Sequence, residues 1–221
     1  LHISKSYFSD IYEVYILSRT KNNNDFDKNK HYICDVTNEK DLKKILEKFN
    51  KRKILMDIII HVVGGSQKVF KYNDNKNNYF KVWNANLGYS IDINNNFIPS
   101  MIKKKWGRII HLSASPSFSA STAYSSAKSA LNSYVKNLAE KLIKNGIVIS
   151  CVSLGPIDLP NRYLSDAQKK NNNFWKNFKN KHLPIGRLAK PEEIIPIINF
   201  LSSDNSSYCS GAIWNVDGSI I

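Results

Sequence analysis

At 221 residues the chain is long enough to bury a substantial core and shows no punctuation that divides it, so residues 1–221 are read as a single domain. A hydrophobic fraction of 42% is ordinary for a globular protein, and the longest apolar run, residues 54–63, is interrupted by Asp57 and His61 and is too short to span a bilayer. The formal charge of +14 invites a polyanion partner, but the lysines are interleaved with asparagines at 21–24, 73–78 and 169–173 rather than gathered on one element, so neither a nucleic-acid nor a membrane partner is expected.

The first ten residues carry no targeting pattern, which makes the cytoplasm the default compartment. Cys34, Cys151 and Cys209 are too widely spaced for a disulfide framework or a metal site; they read as buried thiols, and no metal is expected.

Along the chain, short β-rich runs alternate with longer helical patterns, the signature of βαβ units and a parallel sheet. Strands are predicted at 14–18 and 31–34. Thr37 is the expected N-cap of an amphipathic helix running to about Phe49, with Leu42, Ile45, Leu46 and Phe49 on one stripe. The apolar run 54–63 reads as a strand covered on both faces, followed by a long helix over 79–104 and a strand at 108–112. A helix over 122–145 stops at Gly146, and a strand follows at 147–152. Residues 159–184 read as one long irregular stretch with the length of an active-site lid. Pro191 opens a helix to about Leu201, with acids in its first turn, and a strand at 212–216 closes the sheet. The fold class is therefore α/β, a three-layer, Rossmann-like doubly wound sheet. Its first strand and glycine-rich turn are missing, because the chain begins inside a helical pattern, and an N-terminal truncation is the expectation.

Tyr124 and Lys128 stand four apart in a helical pattern, so they share a face and the ammonium can approach the phenol. A neighbouring positive charge favours phenolate and is expected to lower the tyrosine pKa toward the range useful for proton transfer. With 11 tyrosines and many lysines such a spacing also arises by chance, so context must decide.

That context resembles the short-chain dehydrogenase/reductase family, in its 3-oxoacyl-carrier-protein reductase-like branch. Tyr124-Ser-Ser-Ala-Lys128-Ser-Ala-Leu131 is similar to the family's catalytic helix, preceded by Gly107-Arg-Ile-Ile as the strand leading to its serine. Asn86-Leu-Gly88 resembles the segment that supplies the family's asparagine, and Gly155-Pro-Ile157 the loop over the nicotinamide. Pro184-Ile-Gly-Arg-Leu188, Phe200-Leu-Ser-Ser-Asp204 and Val216-Asp-Gly218 resemble the C-terminal third.

The resemblance implies an NAD(P)-dependent oxidoreductase that reduces a small-molecule carbonyl to an alcohol, assembled as a homodimer or homotetramer. Tyr124 would be the general acid, with Lys128 holding the ribose hydroxyls and tuning Tyr124, and Asn86 holding a relay water. Asp35 and Val36 match the pair that contacts adenine, and Gly64 the glycine where backbone approaches cofactor. The alternative for Asp35 is a helix-start role beside Thr37. Arg19, followed by Thr20 and Lys21, stands where an acidic residue would grip the NAD ribose, so NADPH is preferred and NAD is the second choice. The family's serine position holds Ala114, and either Ser113 or Ser115 would supply the hydroxyl, with Ser113 slightly favoured. His61, in a run that usually reads Asn-Asn-Ala-Gly, is expected to be a packing residue. A rival reading is a binding or regulatory protein of the same fold without turnover.

Overall fold

The computed structural model describes residues 12–20, 30–114 and 121–220; the expectations placed on residues 1–5, Lys21 and Ser115 fall outside them. Its strands are β1 (Ile16–Ser18), β2 (His31–Ile33), β3 (Ile58–His61), β4 (Gly107–Ala114), β5 (Ile147–Leu154) and β6 (Ile213–Val216). The helices are α1 (Glu39–Lys51), α2 (Lys76–Trp83), α3 (Tyr89–Lys104), α4 (Thr122–Leu142), α5 (Tyr163–Lys170), α6 (Asn173–His182) and α7 (Ile195–Ser202). All strand pairs are parallel: β1 with β2, and β3-β4-β5-β6 in that order. A parallel sheet needs a crossover between neighbouring strands, and those crossovers cover both of its faces. This is why β4 and β5 are buried at every residue except their last.

Side chains of alternate parity leave each strand on opposite faces and so divide the core in two. On one face Ile109, Ile147, Ile149 and Cys151 pack with Leu131, Val135 and Ala139 of α4 and with Phe97 and Met101 of α3. The other face sets Ile110, Leu112 and Val152 against Ile198 and Leu201 of α7. The result is the predicted three-layer α/β arrangement.

Several local expectations need correction. The cap of α1 is Asn38, whose side chain accepts from Lys40 N and Asp41 N; Thr37 instead gives both its N–H and its hydroxyl to Asp35 Oδ1. Asp35 was open to two readings, and this bond uses one carboxylate oxygen in the turn ahead of α1. Only Ile58–His61 of the run 54–63 is ladder-paired. The long helix over 79–104 is interrupted by a π-helical segment, Asn84–Gly88. Residues 159–184 are mostly helical, forming α5 and α6, because Asn172 caps the second helix and Trp175 anchors it in a small core with Leu183 and Leu188. Residues 191–193 form a 3-10 turn ahead of α7. Cys34 and Cys151 are buried thiols pushed up to about 11 by burial, whereas Cys209 is partly exposed. No helix among the described residues is long and apolar enough to cross a membrane, and none of their His, Cys, Asp and Glu side chains cluster as a metal site.

Candidate active site

The C-terminal end of β3 is where the predicted residues meet. Beyond His61 the chain reaches Gly64 and Gly65, and the Asn86 amide is folded against them: Gly65 N donates to its Oδ1 at 3.0 Å, while its Nδ2 donates to Gly65 O at 2.9 Å and to Val82 O at 2.7 Å. Asn86 sits in the π-helical segment, where one widened turn aims the amide at Gly65; such bulges occur frequently at functional sites. A side chain on Gly64 has no room, since a Cβ there would lie 2.7 Å from Asn86 Oδ1 and 3.2 Å from Lys128 Nζ. Gly64→Ala is therefore expected to displace Asn86 or Lys128 and cost about 1–3 kcal/mol of stability, read as a lower urea midpoint; an unchanged midpoint would show that the contact relaxes freely.

Helix α4 delivers the tyrosine and lysine. Ser121 caps it in extended geometry, accepting from Tyr124 N and donating to Val69 O, which ties the start of the helix to the segment after Gly65. Tyr124 packs with Val69, Val82, Ala123 and Ala127, and burial raises its pKa. The expected lowering by Lys128 is not what the structure shows: the ammonium stands 5.7 Å from the ring centroid, and desolvation dominates. Lys128 is buried, donates to Leu112 O at 2.9 Å, and is itself pulled down to about 8 by burial.

Ser113 lies on the α4 face of β4, 5% exposed, register-paired with Ser153 of β5 and beside the Cys151 thiol, whose rise in pKa it partly offsets. Ala114 follows it, partly exposed. Gly155 continues β5 and donates to Val216 O, with Asp217 backbone 2.8 Å from where its Cβ would be, so only glycine fits. Pro156 and Ile157 run beside Ala189: Pro156 O accepts from Ala189 N, and Ile157 bridges to the same residue. At the other edge Arg19 is exposed at the end of β1, and Val36 is buried in the core with Cys34 and Leu42. The structure thus brings Gly64, Asn86, Tyr124 and Lys128 together; among the described residues no hydrogen bond or ion pair joins Arg19, Asp35 or Val36 to them.

Sequence reasoning missed the layer beneath. His61, His111 and Cys151 are register partners on β3, β4 and β5, on the α4 face. The two imidazoles stack at 4.4 Å, His61 Nε2 bonds Asn94 Oδ1 at 2.9 Å, and Asn94 Nδ2 donates to Tyr134 OH. Burial lowers His61 to about 4 and His111 well below its usual value. His61 is a packing residue, as expected, but a hydrogen-bonded one. The available signal was His61 and His111 in two strand-like runs, which single-strand reading could not pair.

A family model described as enoyl-(acyl carrier protein) reductase matches residues 11–219. Relatives include 3-oxoacyl-[acyl-carrier-protein] reductases of Thermotoga maritima, 25% identical over 193 residues covering 86% of this chain and 76% of the relative, and of Chlamydia trachomatis, 29% identical over 189 residues covering 84% and 74%. Among solved structures, L-sorbose reductase from Gluconobacter frateurii, in complex with NADPH and L-sorbose, has a TM-score of 0.74 at 24% identity, covering 85% of this chain and 75% of that one. With the matched region spanning nearly every described element, the chain belongs to the short-chain dehydrogenase/reductase family of NAD(P)-dependent oxidoreductases.

Proposed function

We propose that this chain reduces a small-molecule carbonyl to an alcohol with NADPH, and that Tyr124, Lys128 and Asn86 form its catalytic group. The observation that carries the proposal is the convergence of a buried ammonium, a half-buried phenol and a cramped glycine at the end of β3. Gly64 leaves its backbone exposed and a side chain there would press on Asn86 and Lys128, while Lys128 holds a positive charge at the same place, which suits the ribose of a dinucleotide. The cofactor supplies the hydride when bound. Tyr124, protonated across the neutral range because of its raised pKa, supplies the proton to the developing alkoxide. Asn86 acts through Gly65, fixing backbone that would face the bound cofactor. Either Ser113, buried beneath this surface, or Ser115 would supply the hydroxyl that orients the carbonyl, and the Gly155, Pro156 and Ile157 loop would flank the nicotinamide.

NADPH rather than NADH is favoured by Arg19 at the end of β1. It is also the cofactor of the sorbose reductase structure, and NADP is bound in the 3-oxoacyl reductase structure from Agrobacterium tumefaciens, which has a TM-score of 0.75 at 19% identity. We further place α3, α4 and β6 at the interfaces of a homodimer or homotetramer, tested by sedimentation.

The deciding measurement is NADPH oxidation over a panel of carbonyl substrates, beside direct titration of NADPH and NADH. Binding of neither dinucleotide would overturn the oxidoreductase reading. Binding without turnover on any carbonyl would favour the regulatory alternative.

Lys128 adds a pH test. Its resting pKa of about 8 means that the free protein loses the ammonium as pH rises through that value. NADPH affinity is expected to fall by about tenfold per pH unit above it, the slope of one linked proton. Lys128→Arg, charged throughout, is expected to flatten this limb; a wild-type affinity that is level from pH 7 to 10 would exclude the role.

A further inference from the structure

We propose that His31 is a positioning residue for the 2′-phosphate end of the cofactor; the inference rests on the NADPH reading above. At the end of β1 the Ser18 hydroxyl lies 2.7 Å from the Thr20 carbonyl and 2.7 Å from His31 Nε2. A hydroxyl carries one proton, and a carbonyl only accepts. Ser18 therefore donates to Thr20, and the His31 ring carries a proton on Nε2 and donates it to Ser18. The Ser18 carbonyl in turn accepts from Cys34 N at 2.8 Å, just past β2.

Arg19 is enclosed by these bonds. Its preceding carbonyl is tied to the neighbouring strand, the following carbonyl is tied back to Ser18, and the clip is fastened to β2 through the His31 ring. The Arg19 and Thr20 side chains extend into solvent from this closed turn. A guanidinium recognises phosphate through a planar fork that tolerates little angular error, so a fixed backbone at Arg19 turns a mobile cation into an oriented one. A ring that keeps Nε2–H directed at Ser18 acts through Arg19, with no phosphate contact of its own. NADH carries only a hydroxyl at that position, so the clip discriminates between the two dinucleotides.

The test is fluorescence titration of NADPH and NADH with the full chain and with His31→Ala and His31→Gln. Glutamine keeps an N–H donor of comparable reach. Loss of one hydrogen bond predicts that His31→Ala binds NADPH about five-fold more weakly and NADH within about two-fold of the unsubstituted chain, with His31→Gln recovering most of the difference. Equal loss for both dinucleotides, no loss for NADPH, or no recovery with glutamine overturns the proposal. An unsubstituted chain that prefers NADH overturns the NADPH reading, and one that binds neither dinucleotide overturns the oxidoreductase reading; this inference falls with either.

Discussion

Replacing Tyr124 by phenylalanine is expected to lower kcat/KM for carbonyl reduction by roughly 10²–10⁴ while leaving NADPH affinity within about two-fold. The substitution removes one oxygen and keeps the ring, which packs with Val69, Val82, Ala123 and Ala127 at the start of α4. What disappears is the proton that neutralises the alkoxide, a loss of about 3–5 kcal/mol of transition-state stabilisation. Because burial holds the phenol protonated through the neutral range, the wild-type group is in its donating form before substrate arrives. A variant that keeps a tenth or more of the wild-type activity, or one that loses cofactor affinity in step with turnover, would sink the assignment of Tyr124 as acid.

The second large effect is on acid stability. His61 has a folded pKa of about 4 against 6.5 in the unfolded chain, and burial is the main cause. Below pH 6.5 the unfolded chain binds a proton that the folded chain refuses, so stability falls as pH falls, and the loss is complete near pH 4. For this one group the loss amounts to about 3 kcal/mol, a large part of a typical domain's stability. His111, lowered in the same direction by burial and by His61 and Lys128, steepens the fall. Glu193, held down to about 2 by its bonds to Arg187 and Lys190 N, contributes only in a more acid window. The check is the urea midpoint at pH 7.5 and at pH 5 for the wild type and for His61→Asn. The variant is expected to lose much of the pH slope, and an unchanged slope would show that the imidazole pair is not what acid attacks.

Much of the fold was legible because parallel strands buried on both faces leave mostly apolar runs, as at Ile147–Leu154, and because Gly146 marks a helix limit in the sequence. What escaped was set by side-chain hydrogen bonds. Asn38 took the cap from Thr37 because the Thr37 N–H and hydroxyl were already committed to Asp35. The segment after Leu159 folded into two helices because Asn172 and Trp175 supply a cap and an anchor where composition showed only Lys, Asn and aromatic residues. At the site, Tyr124, Lys128, Asn86 and Gly64 could be named from motif order. The dominance of desolvation over charge at Tyr124, and the histidine layer below, depend on neighbours that one strand or one helix does not reveal.

The π-helical segment at Asn84–Gly88 also accommodates an extra residue. A π turn is an α turn carrying one residue more, and by widening it absorbs that residue without changing the phase of the helix on either side. Val82 before it can therefore stay in the core, and Asn84 can donate to the Thr37 carbonyl at 2.8 Å, while the widened turn presents the Asn86 amide to Gly65. Removing one residue there would close the turn to α geometry and leave the flanking helices in phase. The extra residue thus serves the Asn86–Gly65 pairing rather than the packing of the helix.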